Sequence, residues 1–414
     1  MANALYAQSG GVTAVINASA LGVIESANIH FDKINKIYAA SNGISGILRE
    51  ELLDLSAEDP QELQKLMHTP GGAFGSCRYK LKPDNQNDFL RVLEVFKAHD
   101  IRYFFYNGGG DSQDTSHKIA QFCQQQAYPV TCIGVPKTID NDLPLTDNSP
   151  GFASTAKYVA VSALEASLDV QSMCDSSTKV FIMEVMGRHT GWIAAASGVI
   201  KEKPEDPPHI ILLPERPLDT EKLLTKISET VQQVGFCTIV VSEGVRHKDG
   251  THILTAKSRD DFGHAQLGGV AMSIAKIVQA KLGLKYHWAV LDYLQRSARH
   301  LASQVDLDQA YALGKAAVEF ALAGENAIMP IIIRTSNTPY QWAIDKAPLA
   351  QIANQEKSLP DDFISEDGFS ITTKAKDYFL PLIHGEAYPP YHNGIPVSAK
   401  LKKVPVNKRC NSYP

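Results

Sequence analysis

Short apolar runs alternate along this chain with longer segments in which apolar and polar residues mix at helical spacing. Strands are predicted at residues 5–8, 36–40, 102–106, 130–134, 179–185, 209–213 and 237–242, and helices at residues 12–26 and 154–173 and in a segment that ends at residue 125. This alternation is typical of α/β proteins with mainly parallel sheets flanked by helices. Ligands of such sheets bind beyond the C-terminal ends of the strands. Unusual polar clusters follow several of the predicted strands, so a site is expected at those ends.

The composition is that of a globular protein with more than one domain. The chain has 414 residues, 44% of them hydrophobic and 21% charged, and a length of this kind predicts two or three domains. The formal net charge of −5 favours neither nucleic acid nor an acidic membrane surface as a partner. The six cysteines form no C-x-x-C pair, and neither a signal peptide nor a membrane-spanning run is visible. A cytoplasmic protein with reduced thiols is expected.

Two glycine-rich segments each lie between a predicted strand and a predicted helix. They are SGG at residues 9–11 and GGGDS at residues 108–112. Glycines let the backbone approach an anion closely, and a helix N-terminus offers free N–H groups. Neither segment has the dinucleotide or the Walker pattern. For the first segment a simple tight turn is an equally good interpretation. In the second, Asp111 would repel a bare phosphate, which indicates a metal ion or a lysine nearby.

The segment PKTIDND at residues 136–142 concentrates a cation, a hydroxyl group and two carboxylates after a predicted strand. Phosphoryl transfer to an alcohol requires a cation on the transferring group, a base near the hydroxyl, and an acid for metal binding or orientation. Lys137, Thr138, Asp140 and Asp142 supply these groups. The alternative is a solvated turn with capping aspartates.

Several cationic side chains outside these segments are candidates for binding phosphate. They are Arg78, Lys179, Arg188 and Arg296. Guanidinium forks suit phosphate monoesters, although any single arginine is usually a surface residue. His189 and His264 are candidates for catalysis, but isolated histidines are more often structural.

Taken together, these motifs resemble the phosphofructokinase family. The similarity runs in order from residue 9 to residue 296, and its most specific segments are KTIDND at 137–142 and MGR at 186–188. The resemblance implies a phosphofructokinase-like fold of two α/β domains. It assigns residues 1–150, with about 295–345, to binding of the phosphoryl donor. Residues 151–294, with about 346–414 as a C-terminal extension, are assigned to binding of the sugar phosphate.

The resemblance also implies a role for individual residues. Asp140 matches the base that accepts the proton of the 1-hydroxyl of fructose 6-phosphate, and Lys137 and Arg188 complete the catalytic set. The residues implied for binding the donor are Gly11, Arg78, Asp111 and Lys137. Those implied for binding the sugar phosphate are Thr138, Asp140, Met186, Gly187, Arg188, Glu243, Tyr293 and Arg296. Asp111 is the implied ligand of Mg²⁺, with Asp142 as an alternative. A homodimer or homotetramer is expected.

Two positions separate the donor classes of this family. Members that use ATP have glycine at positions 111 and 137, whereas members that use pyrophosphate have aspartate and lysine, as here. The carboxylate of Asp111 would repel the α-phosphate of a nucleotide. At ~4 Å and an effective dielectric constant of about 20, the repulsion costs about 4 kcal/mol, or roughly a thousandfold in affinity. The expected reaction is reversible transfer from pyrophosphate to fructose 6-phosphate, giving fructose 1,6-bisphosphate and phosphate.

The chain departs from the family pattern at three positions. Gly110 stands where an aspartate usually helps to hold Mg²⁺, Lys179 where many members have arginine, and His287 where an arginine from a neighbouring subunit is common, with Lys285 as a substitute. These changes leave open another acceptor, such as sedoheptulose 7-phosphate, or ATP as donor. They also leave open a non-catalytic member that only binds sugar phosphate. A nicotinamide-dependent oxidoreductase is disfavoured because the dinucleotide glycine pattern is missing.

Overall fold

The computed structural model describes residues 2–82, 84–253, 255–259 and 265–413. The chain divides into two compact units. Unit 1 consists of Met1–Gly151, Gln304–Glu356 and Glu386–Pro414, and unit 2 consists of Phe152–Ser303 and Lys357–Gly385.

The described strands, in chain order, are β1 (Ala2–Gln8), β2 (Ile34–Ala40), β3 (Leu52–Asp54), β4 (Ile101–Gly108), β5 (Thr131–Pro136), β6 (Val180–Val185), β7 (Ile210–Leu212), β8 (Cys237–Ser242), β9 (Thr255–Arg259), β10 (Ala265–Leu267), β11 (Tyr286–Val290), β12 (Ile328–Asn337), β13 (Tyr340–Pro348), β14 (Tyr391–His392) and β15 (Ile395–Pro396).

The described α-helices are α1 (Ile16–Ile29), α2 (Gly43–Leu48), α3 (Pro60–Gln64), α4 (Gln86–Ala98), α5 (Gly110–Gln125), α6 (Phe152–Met173), α7 (Trp192–Ala196), α8 (Thr220–Val234), α9 (Val270–Leu282), α10 (Leu294–Ser297), α11 (Gln304–Leu322) and α12 (Thr373–Leu382). Short 3₁₀ helices occupy Leu55–Ala57, Lys65–His68, Ser197–Ile200, Arg299–Leu301, Leu349–Gln351 and Asp361–Phe363.

Unit 1 contains a seven-stranded sheet in the order β13-β12-β5-β4-β1-β2-β3. The five central strands are parallel, and β3 and β13 pair antiparallel at the two edges. The chain leaves β1 for β2 on one side and later adds β4 on the other side, so the topological switch point lies between β1 and β4. Ligands of open α/β sheets bind at such a point, and both glycine-rich segments follow these two strands.

Apolar residues cover both faces of this sheet, as the continuous apolar runs of its central strands require. One face packs against α1 and α11 through residues such as Leu21, Ile24 and Val318. The other packs against α2, α4 and α5 through residues such as Phe96 and Ile119. Because both faces are buried, the strands are held in place, and so are the loops that follow their C-terminal ends.

Unit 2 contains a parallel four-stranded sheet in the order β11-β6-β8-β7. Its core joins the apolar side of α8, including Leu223 and Ile227, to α9, including Ile274. The central pair β6 and β8 ends next to the segments at residues 186–188 and 242–244. Candidate sugar-phosphate residues therefore follow adjacent strands of one sheet.

The predicted α/β class and parallel sheets are confirmed. The first helix begins at Ile16 rather than at residue 12, because residues 12–15 form the loop that leads into it. Among the described residues, no helix combines the length and apolarity that crossing a bilayer would need.

The C-terminal segment differs from the prediction, which placed residues 346–414 with the second domain. Residues 295–303, predicted with the donor domain, belong to unit 2, whereas residues 346–356 and 386–414 belong to unit 1. The physical reason is pairing with the exposed edge of its sheet: Asp54 N donates to the Val404 carbonyl at 2.9 Å and Val406 N donates to the Leu52 carbonyl at 2.8 Å. Strand edges are stabilised when another segment covers them.

Candidate active site

The loop that follows β1 is held from two sides. Gly10 has φ of +72°, a conformation that favours glycine, and its N–H donates to the Cys77 carbonyl at 2.9 Å. The Ser76 hydroxyl donates to the Gly10 carbonyl at 2.7 Å. Lys137, from the end of β5, donates through Nζ to the Gly11 carbonyl at 2.6 Å. Two predicted donor-site residues, Gly11 and Lys137, are thereby in direct contact.

The glycine segment after β4 leads directly into α5. A Cβ atom at Gly108 would lie 2.1 Å from the Ser112 hydroxyl oxygen, so this position has no room for a side chain. Gln113 donates through Nε2 to the Gly108 carbonyl at 2.7 Å, and Lys137 N donates to the same carbonyl at 3.2 Å. Asp111 lies in the first turn of α5, where the helix dipole favours a carboxylate.

Asp111 forms an ion pair that the sequence did not indicate. Lys80 Nζ lies 2.7 Å from Asp111 Oδ1, and the two side chains are 35% and 27% exposed. This hydrogen bond raises the pKa of Lys80, which keeps the ammonium charged. The carboxylate at the position predicted to determine the donor is therefore paired with Lys80, whereas Lys137 binds the Gly11 carbonyl.

The segment at residues 137–142 is held as a fixed loop. Thr138 N donates to the Pro150 carbonyl at 3.2 Å, and the Thr138 hydroxyl accepts from Asp140 N at 3.1 Å. Asn141 has φ of +54°, and its side-chain oxygen accepts from Ser149 N at 3.0 Å. Lys137 is buried, whereas the carboxylates of Asp140 and Asp142 lie half-buried. A half-buried carboxylate on a rigid loop suits a general base.

In unit 2, the loop after β6 has a backbone shape that only glycine accepts readily. Gly187 has φ of +134°, and a Cβ there would lie 2.7 Å from the Thr190 carbonyl oxygen. The Ser242 hydroxyl donates to the Gly187 carbonyl at 2.5 Å. Met186 N donates at 3.2 Å to the side-chain oxygen of buried Gln295. This last bond ties the Met186-Gly187-Arg188 loop to the segment at residues 293–296.

Glu243 follows β8 and is fixed through its backbone, because its N–H donates to the Val185 carbonyl at 2.9 Å. Burial raises the pKa of the Glu243 carboxyl, and the positive charge of Arg188 opposes that rise. Glu243 and Arg188 are therefore close enough for their charges to interact.

Tyr293 and Arg296 form a stacked pair in unit 2. The Arg296 guanidinium carbon lies 3.8 Å from the centre of the Tyr293 ring, and Tyr293 is 60% exposed. Stacking on an aromatic ring orients the planar guanidinium, whose N–H groups suit phosphate oxygens. These two predicted binders of the sugar phosphate are therefore in direct contact.

A cationic cluster surrounds Arg188, and the sequence did not single out two of its members. Arg246 and His252 pair through their backbones, and burial followed by the charges of Arg246, His189 and Arg188 lowers the pKa of His252. Among the described residues, Arg188 Nη1, Arg246 Nε and His252 Nδ1 are buried without a hydrogen-bond partner. Unpaired buried nitrogen atoms near several positive charges are suited to an anionic ligand.

The chain matches the family model for phosphofructokinase over residues 3–321. The chain belongs to the phosphofructokinase family. A relative from Halomonas elongata, named pyrophosphate--fructose 6-phosphate 1-phosphotransferase, is 58% identical over 99% of both chains. A relative of the same name from Methylococcus capsulatus is 55% identical over 98% of this chain and 97% of its own.

Solved structures of family members agree with the fold. The crystal structure of a pyrophosphate-dependent phosphofructokinase from Marinobacter aquaeolei has a TM-score of 0.92 and 55% sequence identity, with 100% of this chain and 99% of that chain covered. A pyrophosphate-dependent phosphofructokinase from Nitrosospira multiformis gives a TM-score of 0.93 at 54% identity. The predicted family and fold are therefore confirmed.

The site has few protein ligands to offer a metal ion. Within the described residues, no group of three or more His, Cys, Asp or Glu side chains could hold a metal. Lys80 engages one oxygen of Asp111, which leaves Oδ2 as the oxygen that could ligate. Mg²⁺ is commonly bound by one or two carboxylates together with substrate phosphates and water. The residues fit a cation that arrives with a phosphate donor, with Asp111 or Asp142 as its protein ligand.

Fewer structural contacts support the remaining candidate residues of the site. Arg78 is half-buried in the loop that also carries Lys80, and His189 and His287 are exposed. Lys179 N donates to the Lys285 carbonyl at 2.9 Å, which places these two basic residues on neighbouring segments. His264 lies outside the described residues.

Proposed function

We propose that this protein transfers a phosphoryl group from inorganic pyrophosphate to the 1-hydroxyl of D-fructose 6-phosphate, producing fructose 1,6-bisphosphate and phosphate. The relatives that share 55–58% of its residues across nearly the whole chain carry that activity in their names. The structural observation that carries the proposal is that Asp111 and Lys137, the two donor-determining residues, border the same glycine loop. Lys137 donates to the carbonyls of Gly108 and Gly11, and Asp111 lies in the first turn of the helix after the loop.

The residues proposed for the phosphoryl donor and for proton transfer belong to unit 1. Unit 1 supplies Gly11, Arg78, Asp111 and Lys137 to the donor, and it supplies Asp140 as the base that takes the hydroxyl proton. The positive charges of Lys137 and Arg188 stabilise negative charge on the transferring phosphoryl group. Because one phosphoric bond is exchanged for another bond of similar energy, the reaction is expected to run in both directions.

Unit 2 supplies the proposed sugar-phosphate residues other than Thr138 and Asp140, which belong to unit 1. The N–H edge of the Tyr293-stacked Arg296 guanidinium suits the 6-phosphate, and Glu243 suits a sugar hydroxyl. Met186 and Gly187 offer backbone groups on a loop that Gln295 and Ser242 hold in place. In this assignment unit 1 is the donor domain and unit 2 the sugar-phosphate domain.

We further propose that Mg²⁺ enters with pyrophosphate and takes a carboxylate oxygen of Asp111 or Asp142. When bound, the ion would offset negative charge on the donor phosphates. The aspartate that often occupies position 110 in the family is replaced by glycine, so the donor itself supplies a larger share of the ligands.

We also propose a cytoplasmic homo-oligomer. β11 is an edge strand of the unit 2 sheet, and it exposes Trp288 (42%) and Val290 (40%), while the nearby Leu294 is 62% exposed. Exposed apolar residues on an open strand edge favour association with another chain. The free thiols of the six cysteines suit a reducing compartment. Light scattering of the purified protein distinguishes a dimer or tetramer from a monomer.

The direct test is phosphate release with two donors and two acceptors. Pyrophosphate and ATP are each supplied with fructose 6-phosphate and with sedoheptulose 7-phosphate at saturating Mg²⁺, and Asp140→Asn provides the inactive control. Turnover with pyrophosphate and fructose 6-phosphate, lost in the control, is expected. Turnover only with ATP would overturn the donor assignment, and a higher kcat/KM for the seven-carbon sugar would change the acceptor. Binding of sugar phosphate without turnover would indicate a non-catalytic member.

A further inference from the structure

Resting on the proposed function, we propose that Lys80 binds pyrophosphate and determines donor specificity together with Asp111, as a paired ammonium and carboxylate beside the glycine loop. None of the motifs that identify the family includes this residue. Its assignment comes from the ion pair at 2.7 Å between Lys80 Nζ and Asp111 Oδ1.

The position of Lys80 is set by the same contacts that hold the loop after β1. Three residues earlier, Cys77 pairs with Ser9 in a parallel bridge and accepts a hydrogen bond from Gly10 N at 2.9 Å. The side chain of Lys80 thus projects from a segment that lies alongside the first glycine loop and reaches the helix that follows the second.

Tyr79, the residue immediately before Lys80, is anchored as well. The Tyr79 hydroxyl donates to Asp88 Oδ2 at 2.6 Å, and the Tyr413 hydroxyl donates to Asp88 Oδ1 at 2.6 Å. Asp88 is buried, so both tyrosines meet a fixed acceptor. With Cys77 and Tyr79 both held, the backbone at Lys80 has little freedom, and less entropy is lost when the lysine pairs than for a lysine on a mobile loop.

The pair changes how a nucleotide would be rejected. An isolated Asp111 carboxylate would exclude ATP by charge repulsion, but the Lys80 ammonium neutralises that carboxylate. Rejection of the nucleotide then depends mainly on the volume of two joined side chains, which leave no space for a third phosphate. A pyrophosphate ion needs only the outer face of the ammonium, which has three N–H donors and uses one on Asp111.

The ammonium therefore serves two acceptors. It remains bound to Asp111 and offers its other N–H groups to the terminal phosphate of the donor, while Lys137 is held at the Gly11 carbonyl. Removing the charge of Lys80 should weaken pyrophosphate binding selectively, because Lys80 pairs with Asp111 of the proposed donor site and is not among the residues proposed for the sugar phosphate.

The test compares Lys80→Met, which keeps the length of the side chain and removes its charge, with Lys82→Met as the matched control. Lys82 lies two residues further along the same loop and is exposed. For Lys80→Met we expect the KM for pyrophosphate to rise about tenfold, equivalent to about 1.4 kcal/mol, with the KM for fructose 6-phosphate within about twofold of wild type. Lys82→Met should leave both constants unchanged, and Lys80→Arg should recover part of the loss.

A double-variant cycle tests the coupling of the pair. If the two side chains act together, Asp111→Asn with Lys80→Met should raise the KM for pyrophosphate by less than the product of the two single effects. Direct titration of each variant with pyrophosphate by calorimetry, and thermal unfolding, separate weak binding from misfolding. An unchanged pyrophosphate KM in a folded Lys80→Met protein would overturn the inference. Failure of the wild type to use pyrophosphate would instead overturn the proposed function.

Discussion

Lys137 Nζ donates a 2.6 Å hydrogen bond to the carbonyl oxygen of Gly11, although the two residues lie 126 positions apart in the chain. The bond links the end of β5 to the loop after β1, and a Cβ at Gly10 would lie 3.3 Å from the same Nζ atom. A buried ammonium therefore stands against a glycine loop at the switch point of the sheet. A charge that is already held in place can stabilise an anion without a rearrangement of the surrounding loop.

Replacement of Lys137 by methionine should lower kcat far more than it lowers stability. The variant keeps the apolar stem of the side chain and removes the charge that stabilises the transferring phosphoryl group. Loss of one such preorganised donor costs a factor of about 10²–10³ in kcat. Steady-state kinetics with pyrophosphate provides the measurement, and Lys118→Met, which breaks a pair with Asp114 on α5, serves as control. A kcat within threefold of wild type would contradict the catalytic role of Lys137.

Replacing both donor-determining residues by glycine should move the preference from pyrophosphate toward ATP. Asp111→Gly with Lys137→Gly opens the space for a third phosphate, and it leaves Lys80 as an unpaired cation that can bind a nucleotide phosphate. The ratio of kcat/KM for the two donors is the measurement, and the two single variants are the controls. If the double variant still ignores ATP at millimolar concentration, other residues set the donor.

Gly187→Ala should destabilise unit 2 and abolish binding of the sugar phosphate. At φ of +134° an alanine is strained, and its Cβ would lie 2.7 Å from the Thr190 carbonyl oxygen and 2.9 Å from the Ser242 hydroxyl oxygen. Strain of this kind costs about 1–3 kcal/mol, which thermal or denaturant unfolding would detect.

Gly110→Ala is the matched control for that substitution. Among the described residues, and apart from its own helix and chain neighbours, no heavy atom lies within 4 Å of a Cβ at Gly110. Alanine also has a higher helix propensity than glycine. Stability equal to or above wild type is expected for Gly110→Ala. A Gly187→Ala protein as stable as Gly110→Ala would show that the loop after β6 can adjust.

Glu50→Gln should release the C-terminal segment. The buried Glu50 carboxylate accepts hydrogen bonds from the backbone N–H groups of Arg409 and Cys410 and lies 2.6 Å from His99 Nε2. A glutamine would turn an NH₂ group toward one of these donors. Breaking a buried, charged contact typically costs about 3 kcal/mol or more. Denaturant unfolding gives the size of the loss, and proteolysis of residues 399–413 tests its location.

The loss of stability caused by Glu50→Gln should become smaller at low pH. Burial raises the pKa of Glu50, but the hydrogen bonds from Arg409 N, His99 and Cys410 N outweigh it and hold the pKa below its usual 4.5. A group with a lowered folded-state pKa stabilises the fold above its unfolded-state pKa, and that contribution is lost as the pH falls through the folded-state value. The difference in stability between wild type and Glu50→Gln should be full above pH 4.5 and shrink below it. A constant difference would contradict this account.

Local patterns identified the strands and the loops that follow them. The apolar runs predicted β1, β4, β5, β6 and β8, and the polar clusters at their ends supply most of the candidate site residues. Both kinds of signal are short-range, because a buried parallel strand needs an unbroken apolar run and a ligand loop needs glycine or charge immediately after it.

Contacts between distant segments were not predicted. Lys80 and Asp111 are 31 residues apart, and nothing in the local sequence of Lys80 distinguishes it from a surface lysine. Its proximity to Arg78 in a candidate donor loop was the one available signal. Arg246 and His252 were missed for the same reason, because their position near Arg188 depends on how separate loops of unit 2 fold together.

The sequence by itself determined the α/β class and the family. It also nominated Asp140, Arg188, Asp111 and Lys137 as candidate groups of the site, because each belongs to a motif whose residue types and spacing are local. Only the tertiary structure decided which cation neutralises Asp111 and which unit holds the last 29 residues. Those outcomes depend on packing and edge pairing between segments far apart in the chain. Many lysines and several strand edges are equally plausible partners until the fold brings one of them within hydrogen-bond distance.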